Sequence, residues 1–370
     1  MTPRELRADI PALREATYLN FGAHGPSPRY VVDAAASFLA DHEYGAATND
    51  PYDVAFETYE RLRERIASFV GADAEEIALT ESTSDGIVRI ASTVEFEPGD
   101  VVVRTDIEHP AGVLPWQRLE QDGVEVRVVE TNGGRVDPDA FADAVSDATL
   151  ACFSALTWTH GTALPVRELA EIAADAGAFT LVDAVQLPGQ RPMDVTEWNV
   201  DAVAAAGHKW LLGPWGSGFL YVNRDSAAEL RPRATGYRSV TSPASPEIEY
   251  RAGAMRFEVG STSPAPHVGL VEAIEAIDDV GVETIEGRIE ALTDRLKSGI
   301  DDERLLSPRE FESGLVSVVV DDPGAAIDRL AERGIVVRSL PAPEAIRVSV
   351  HGVSTEAEID AVVNELNGGR

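Results

Sequence analysis

Lysine is scarce in this chain. Of its 31 lysines and arginines, only Lys209 and Lys297 are lysines. A chemistry that needs a primary amine therefore has two candidates. Lys209 stands in Ala206-Gly207-His208-Lys209-Trp210, just past an apolar segment and just before the glycine-rich turn Leu211–Gly218. A lysine desolvated in a strand-end cleft loses basicity and forms Schiff bases with carbonyl compounds. Asp183 closes another apolar segment, Phe179–Asp183. A carboxylate at such a position can keep a heteroaromatic ring nitrogen protonated, so that the ring acts as an electron sink. Lysine and aspartate in these roles are the pairing that pyridoxal phosphate requires. Gln186, three residues on, can donate to a ring oxygen. Each residue also has a plain structural reading, as surface amine, turn cap and polar loop residue.

A phosphate needs donors. Ser82-Thr83-Ser84-Asp85-Gly86 opens a helical stretch, where hydroxyls and free backbone N–H groups make an anion site. An ordinary N-cap has the same composition. His109, in Glu108-His109-Pro110-Ala111-Gly112, follows a strand and could stack on a planar cofactor or move protons. The seven histidines show no metal-ligand spacing such as HExxH. No metal site is expected.

Strands must place these residues. Glu76–Thr80, Val101–Arg104, Val124–Val129, Leu150–Leu156, Phe179–Asp183, Val200–Ala206 and Gly218–Val222 read as strands. The helices Ser84–Val94, Gly112–Asp122, Pro138–Ser146 and Pro165–Ala176 fall between them. Such alternation predicts a mostly parallel α/β sheet with its chemistry at the carboxyl ends of the strands. Helices are expected over Ala55–Val70, stopped by Gly71, and over Pro266–Val280. The last ninety or so residues read as a smaller α+β module: helix Val282–Gly299, strand Gly314–Val320, helix Pro323–Arg333, strands Ile335–Arg338 and Ala345–Val350, and helix Thr355–Leu366. Thr355-x-x-Glu358 is a capping-box pattern. The boundary is expected near residue 280, within the long helix.

Composition narrows the function. The chain has 370 residues and a formal charge of −32. That charge argues against binding nucleic acid or anionic membranes. Acidity combined with almost no lysine suggests a halophilic protein, since concentrated salt screens acidic self-repulsion; a GC-rich genome is the alternative. No apolar run is long enough to span a membrane, and residues 1–10 carry no signal-peptide core, so a cytoplasmic location is expected. Cys152 is the single cysteine, which excludes an intrachain disulfide.

Six motifs, in order along nearly the whole chain, resemble the class V aminotransferases, fold-type I enzymes that include cysteine desulfurases, selenocysteine lyases and isopenicillin N epimerase. They are Tyr18-Leu19-Asn20-Phe21-Gly22, Thr80-Glu81-Ser82-Thr83-Ser84-Asp85-Gly86, Glu108-His109-Pro110-Ala111 with Pro115-Trp116, Leu181-Val182-Asp183-Ala184-Val185-Gln186, Gly207-His208-Lys209, and Arg256-Phe257-Glu258-Val259-Gly260-Ser261. The resemblance implies a large domain over 18–280 with a mostly parallel seven-stranded sheet, and a small α+β domain made from 1–17 and 281–370. It implies a homodimer acting on an amino-acid substrate with pyridoxal 5′-phosphate. Lys209 would hold the cofactor as a Schiff base and Asp183 would face its ring nitrogen. Gln186 would meet the phenolic oxygen and His109 would cover the ring. Thr83, Ser84 and His208 would bind the phosphate, and Ser261 would reach the neighbouring subunit's phosphate. Arg347 resembles the arginine that grips the substrate carboxylate. Tyr237, Arg238 and His24 are further pocket candidates.

Departures from the family pattern carry information. The desulfurase cysteine belongs on a loop shortly before that arginine, but Val337–Glu344 is short and contains none, while Cys152 lies in a core strand. The serine often found before "GHK" is Ala206, and the usual asparagine near the ring is replaced around Trp158-Thr159-His160. These differences point toward the aminotransferase-like and epimerase-like branches. Transamination is the leading expectation, with a cysteine-independent C–S lyase or cysteine desulfurase-like enzyme, or an epimerase, as alternatives. A catalytically silent scaffold would have lost Lys209 or Asp183, and a sulfur carrier would need an accessible cysteine.

Overall fold

The structure is a computed structural model and describes residues 1–368. A short strand β1 (Thr17–Tyr18) is followed by the strands of the main sheet. These are β2 (Ile77–Thr80), β3 (Val101–Thr105), β4 (Glu125–Val129), β5 (Leu150–Ser154), β6 (Phe179–Asp183), β7 (Ala202–Ala206) and β8 (Gly218–Val222). Their order is β2-β8-β7-β6-β5-β3-β4. Only β8 runs against its neighbours; the others are parallel. The fold is α/β, as the strand–helix alternation predicts.

Helices cover both faces, and the alternation of side chains along each strand divides the core. In β5, Ala151 and Phe153 join the cluster containing Ile66, Phe141 and Ile274. Leu150 and Cys152 join the opposite cluster, with Ile87, Ile90 and Trp116. Truncating Phe153 to alanine would cost about 3–5 kcal/mol at so buried a site.

The helix Pro51–Val70 begins with Asp50 accepting from Tyr52 and Asp53 backbone N–H groups, and ends at Gly71 with φ 78°. Three helices escaped sequence reading, Pro3–Ala8, Arg29–Gly45 and Arg224–Glu229. The second buries only Val31 completely, so its apolar stripe is faint. It packs through small residues instead: a Cβ on Gly269 of the helix Ala265–Val280 would stand 3.0 Å from the Val31 carbonyl and 3.3 Å from the Ala35 side chain.

Beyond Val280 the chain breaks at Gly281 (φ 86°) and re-enters a helix over Val282–Ser298. The remaining strands are β9 (Leu315–Val318), β10 (Ile335–Val336), β11 (Arg338–Pro341) and β12 (Glu344–Ser349). The sheet order β11-β12-β9 is antiparallel, and β10 pairs in parallel with β1. The expected single strand Ile335–Arg338 is thus divided between two sheets, and Val337–Glu344 forms a tight hairpin where sequence suggested a loop. The Thr355 capping box forms as expected. Among the described residues, no helix is long and apolar enough to cross a membrane.

Candidate active site

Strand register brings the carboxyl ends of β5, β6 and β7 together: Ser154 pairs with Asp183, and Asp183 with Ala204. Past β7, the Gly207 N–H donates to the Ser217 carbonyl (2.8 Å), and the Gly213 N–H donates to the Gly207 carbonyl (2.9 Å). A Cβ on Gly207 would run into Leu270. Gly25 packs so tightly on the Lys209 carbonyl that no side chain fits there. Leu212 is buried with φ 60°, a left-handed conformation that costs a non-glycine residue about 1 kcal/mol or more and concentrates at functional sites.

Lys209 is pulled down to about 7, first by burial. Asp183 opposes the shift, and Arg347 and Arg338 add to it. Near neutral pH a substantial share of the amine is therefore unprotonated, as a nucleophile requires. Lys297 has a different environment. It is buried in the helix Val282–Ser298 and donates to the Glu310 carbonyl (2.9 Å).

Asp183 is buried, which raises its carboxyl pKa. Its Oδ1 accepts from the Val185 N–H at 3.0 Å. Gln186 is held by its amide: Nε2 donates to the Gly22 carbonyl (3.0 Å), and Oε1 accepts from Trp210 Nε1 (2.9 Å). His109 caps the turn Pro110–Gly112 through Nδ1 and stands edge-on to Trp158 at 5.4 Å. Burial, then the charges of Lys209, Arg338 and Arg347, depress its pKa to about 4. His208 is likewise at about 4, from burial and then Lys209 and His24.

The phosphate candidates lie beside this loop. Gly218 opposes both Ala206 of β7 and Thr80 of β2, and a Cβ on it would touch the Ser82 backbone. Ser82 caps the helix Thr83–Ala91 by accepting from the Asp85 N–H. Thr83 is buried, and its hydroxyl has no partner among the described residues. Ser84 is exposed and, with His109, faces a groove of about 690 Å³.

Arg347, on β12, is 1% exposed. Nη1 donates to the Trp158 carbonyl (2.9 Å), while Nε and Nη2 have no partner among the described residues. Burial and then Arg338 bring its guanidinium down to about 9. Asn20 Oδ1, Ser349 Oγ and Trp158 Nε1 are also buried and unpartnered among those residues. A concave site with this many orphaned polar atoms is incomplete without a polar ligand. The donor set fits a phosphorylated, carboxylate-bearing pair of molecules: a hydroxyl and helix N-terminus for one, a bare guanidinium edge for the other.

Ser261 does not join the cluster. It is exposed, bonds the Tyr237 hydroxyl (2.5 Å) and lines a separate aromatic groove with Phe38, Tyr52 and Phe56. Arg238 is committed elsewhere too, to Glu258 and to the face of Tyr59 at 3.6 Å. His24 does reach the site, through Trp215 and His208. Sequence reading passed over Arg338, Trp158 and the buried Glu108, whose carboxylate accepts from Thr105 Oγ1 and Ser154 Oγ, each at 2.5 Å. Glu108 opens a recognised motif and Trp158 stands where the chain departs from the family pattern, but neither was given a role. Arg338 gave no signal until the hairpin set it opposite Arg347.

Comparison with known proteins defines the class. A family model described as "Aminotransferase class-V" matches residues 17–362. The chain belongs to this family and is a pyridoxal-phosphate-dependent enzyme of fold-type I. It is 34% identical to a probable cysteine desulfurase of Methanothermobacter thermautotrophicus, over 99% of this chain and 98% of that one. It is 30% identical to a cysteine desulfurase of Haloferax volcanii, over 100% and 92%. Among solved structures, it resembles the apo cysteine desulfurase of Thermococcus onnurineus NA1 with TM-score 0.90 and 27% identity, over 98% and 97% of the two chains. The cystine C–S lyase C-DES in complex with its product cysteine persulfide gives 0.91 and 26%, over 97% and 99%. These relatives carry desulfurase and lyase names, whereas the missing cysteine had pointed toward the aminotransferase-like and epimerase-like branches.

Proposed function

We propose that Lys209 attaches the cofactor and that the enzyme acts at the Cα of an amino acid. The observation that carries this reading is a lysine just past the end of β7, close enough to the buried Asp183 at the end of the adjacent β6 for their charges to interact. When bound, pyridoxal phosphate draws electrons from Cα into its ring. Asp183 keeps the ring nitrogen protonated, and the second N–H of Gln186 serves the phenolic oxygen. His109 covers the ring. Thr83, Ser84 and His208 hold the phosphate. Arg347 takes the substrate carboxylate on its free edge, which sets Cα within reach of the Lys209 amine that removes the α-proton. The large domain spans 18–280, with 1–17 and 281–368 in the small one; residues 369–370 of the expected small domain lie outside the described residues.

The hairpin favours one branch. Arg338 and Arg347 are directly opposed on β11 and β12, so both side chains stand on one face, and like charges so placed repel. Among the described residues, neither guanidinium is paired with a carboxylate. Two free cations suit a substrate with two carboxylates. Cystine is such a substrate and the first compound to try, and the desulfurase and lyase names of the relatives favour a cysteine-independent C–S lyase over a transaminase. The reading extends to a salt-adapted homodimer, in which Ser261 completes the neighbouring subunit's site.

Spectroscopy of the purified enzyme tests this. A visible absorption band should be lost in Lys209→Ala. Pyruvate release from cystine without bleaching supports the lyase. Bleaching to a pyridoxamine-like spectrum with one amino acid supports transamination. A protein that stays colourless with pyridoxal phosphate ends the enzyme reading.

A further inference from the structure

Trp215 is 65% exposed, yet it is not loose. Its ring lies on the His208 imidazole, with centroids 4.6 Å apart and planes 26° apart. Its indole N–H donates to His24 Nδ1 at 2.9 Å, a nitrogen that also lies 3.1 Å from the His208 carbonyl, so the bond to the indole requires the His24 tautomer with Nδ1 bare. The turn that carries it is braced: Ser217 Oγ donates to the Pro214 carbonyl (2.6 Å), and Gly213 and Ser217 are tied to Gly207. His24 is fixed from the other side. Tyr18 donates its hydroxyl to the His24 carbonyl (2.7 Å), and the Gly25 N–H donates to the His208 carbonyl (2.7 Å). The rings of Trp215 and His24 thus both lie against the His208 imidazole, and their backbones are pinned.

We infer that Trp215 is a positioning residue: by stacking on His208 and bonding His24, it fixes the His208 ring in the orientation that meets the cofactor phosphate. The inference rests on the reading above that places His208 at that phosphate. A second observation supports it. β7 ends in Ala206, which offers no hydroxyl, so the burden on Thr83, Ser84 and His208 is greater. A neutral imidazole presents a single N–H donor, and that donor helps only if the ring does not rotate.

The test compares two ligands of the full-length enzyme stripped of cofactor, pyridoxal phosphate and pyridoxal, which differ only in the phosphate. Binding is followed by the visible band. Trp215→Ala should weaken pyridoxal phosphate about 10-fold, near 1.4 kcal/mol, and change pyridoxal less than about 2-fold. Trp215→Phe keeps a stacking ring and should recover most of the loss, which also guards against a misfolded alanine variant. His208→Ala should show the same phosphate-specific loss, and the double variant should add little to it, as expected of residues acting through one another. Equal losses for both ligands, no loss for either, or full additivity would each overturn the inference. If the unaltered enzyme forms a Lys209-dependent band and only the phosphate-specific loss is missing, this inference alone falls. If no band forms at all, it falls together with the reading it rests on.

Discussion

Lys209 sets a pH dependence. Its folded-state pKa, about 7 against an ordinary value of 10.5, lets it lose its proton as pH rises above 7 while the unfolded chain still binds one. Stability of the cofactor-free enzyme should therefore rise with pH between about 7 and 10, and Lys209→Met should flatten that rise in pH-dependent thermal melts. Glu108 works in the opposite sense. Burial raises its carboxyl from 4.5 to about 7, so stability is lost as pH climbs through that interval, and Glu108→Gln should remove the loss. For Arg347, alanine removes a bidentate, charge-assisted contact worth roughly 2–4 kcal/mol. kcat/KM should fall at least about 30-fold. Arg338→Ala should weaken cystine more than an amino acid with one carboxylate; equal losses for both would remove the two-carboxylate reading.

At the scale of elements, strand ends were legible and strand edges were not. Asp183 and Lys209 each follow an apolar run that can only be a buried strand, so sequence alone places them at one rim of the sheet. Thr83 and Ser84 could be read because helix starts have a composition. The β11–β12 hairpin was hidden: Pro341-Ala342-Pro343-Glu344 looks like an ordinary loop, and the pairing of Arg338 with Arg347 exists only once register is fixed. The Trp215 stack was hidden for the same reason, since its partners come from Tyr18–Gly25 and His208. The β5 strand permits a sharp test. Cys152 is wholly buried between its neighbours, and burial first, then Glu108 and Asp183, raises its thiol pKa. A buried, protonated thiol is not a nucleophile. Cys152→Ala should keep kcat within about 2-fold and cost about 1–2 kcal/mol of stability from the small cavity. A loss of turnover with the fold intact would restore a persulfide role.

The whole molecule carries 63 acidic and 31 basic residues. Even with every lysine and arginine paired, 63 − 31 = 32 carboxylates have no cation partner. Many of the ion pairs are exposed, Arg118–Asp122 and Arg295–Asp360 among them, and each is worth only about 0.2–1 kcal/mol. Salt weakens these pairs, but it also screens the surplus repulsion, and the screening length falls from about 10 Å at 0.1 M to about 3 Å at 1 M. Thirty-two uncompensated charges on one chain outweigh a modest set of exposed pairs. The melting temperature of the holoenzyme should therefore rise steadily from 0.1 to 2 M potassium chloride. Lowering the pH toward the sequence pI of about 4.5 shrinks the surplus, so the salt effect should shrink with it. A melting temperature that falls with salt, or is flat at pH 7, would mean that the ion pairs dominate and that the scarcity of lysine has a genomic rather than a physical origin.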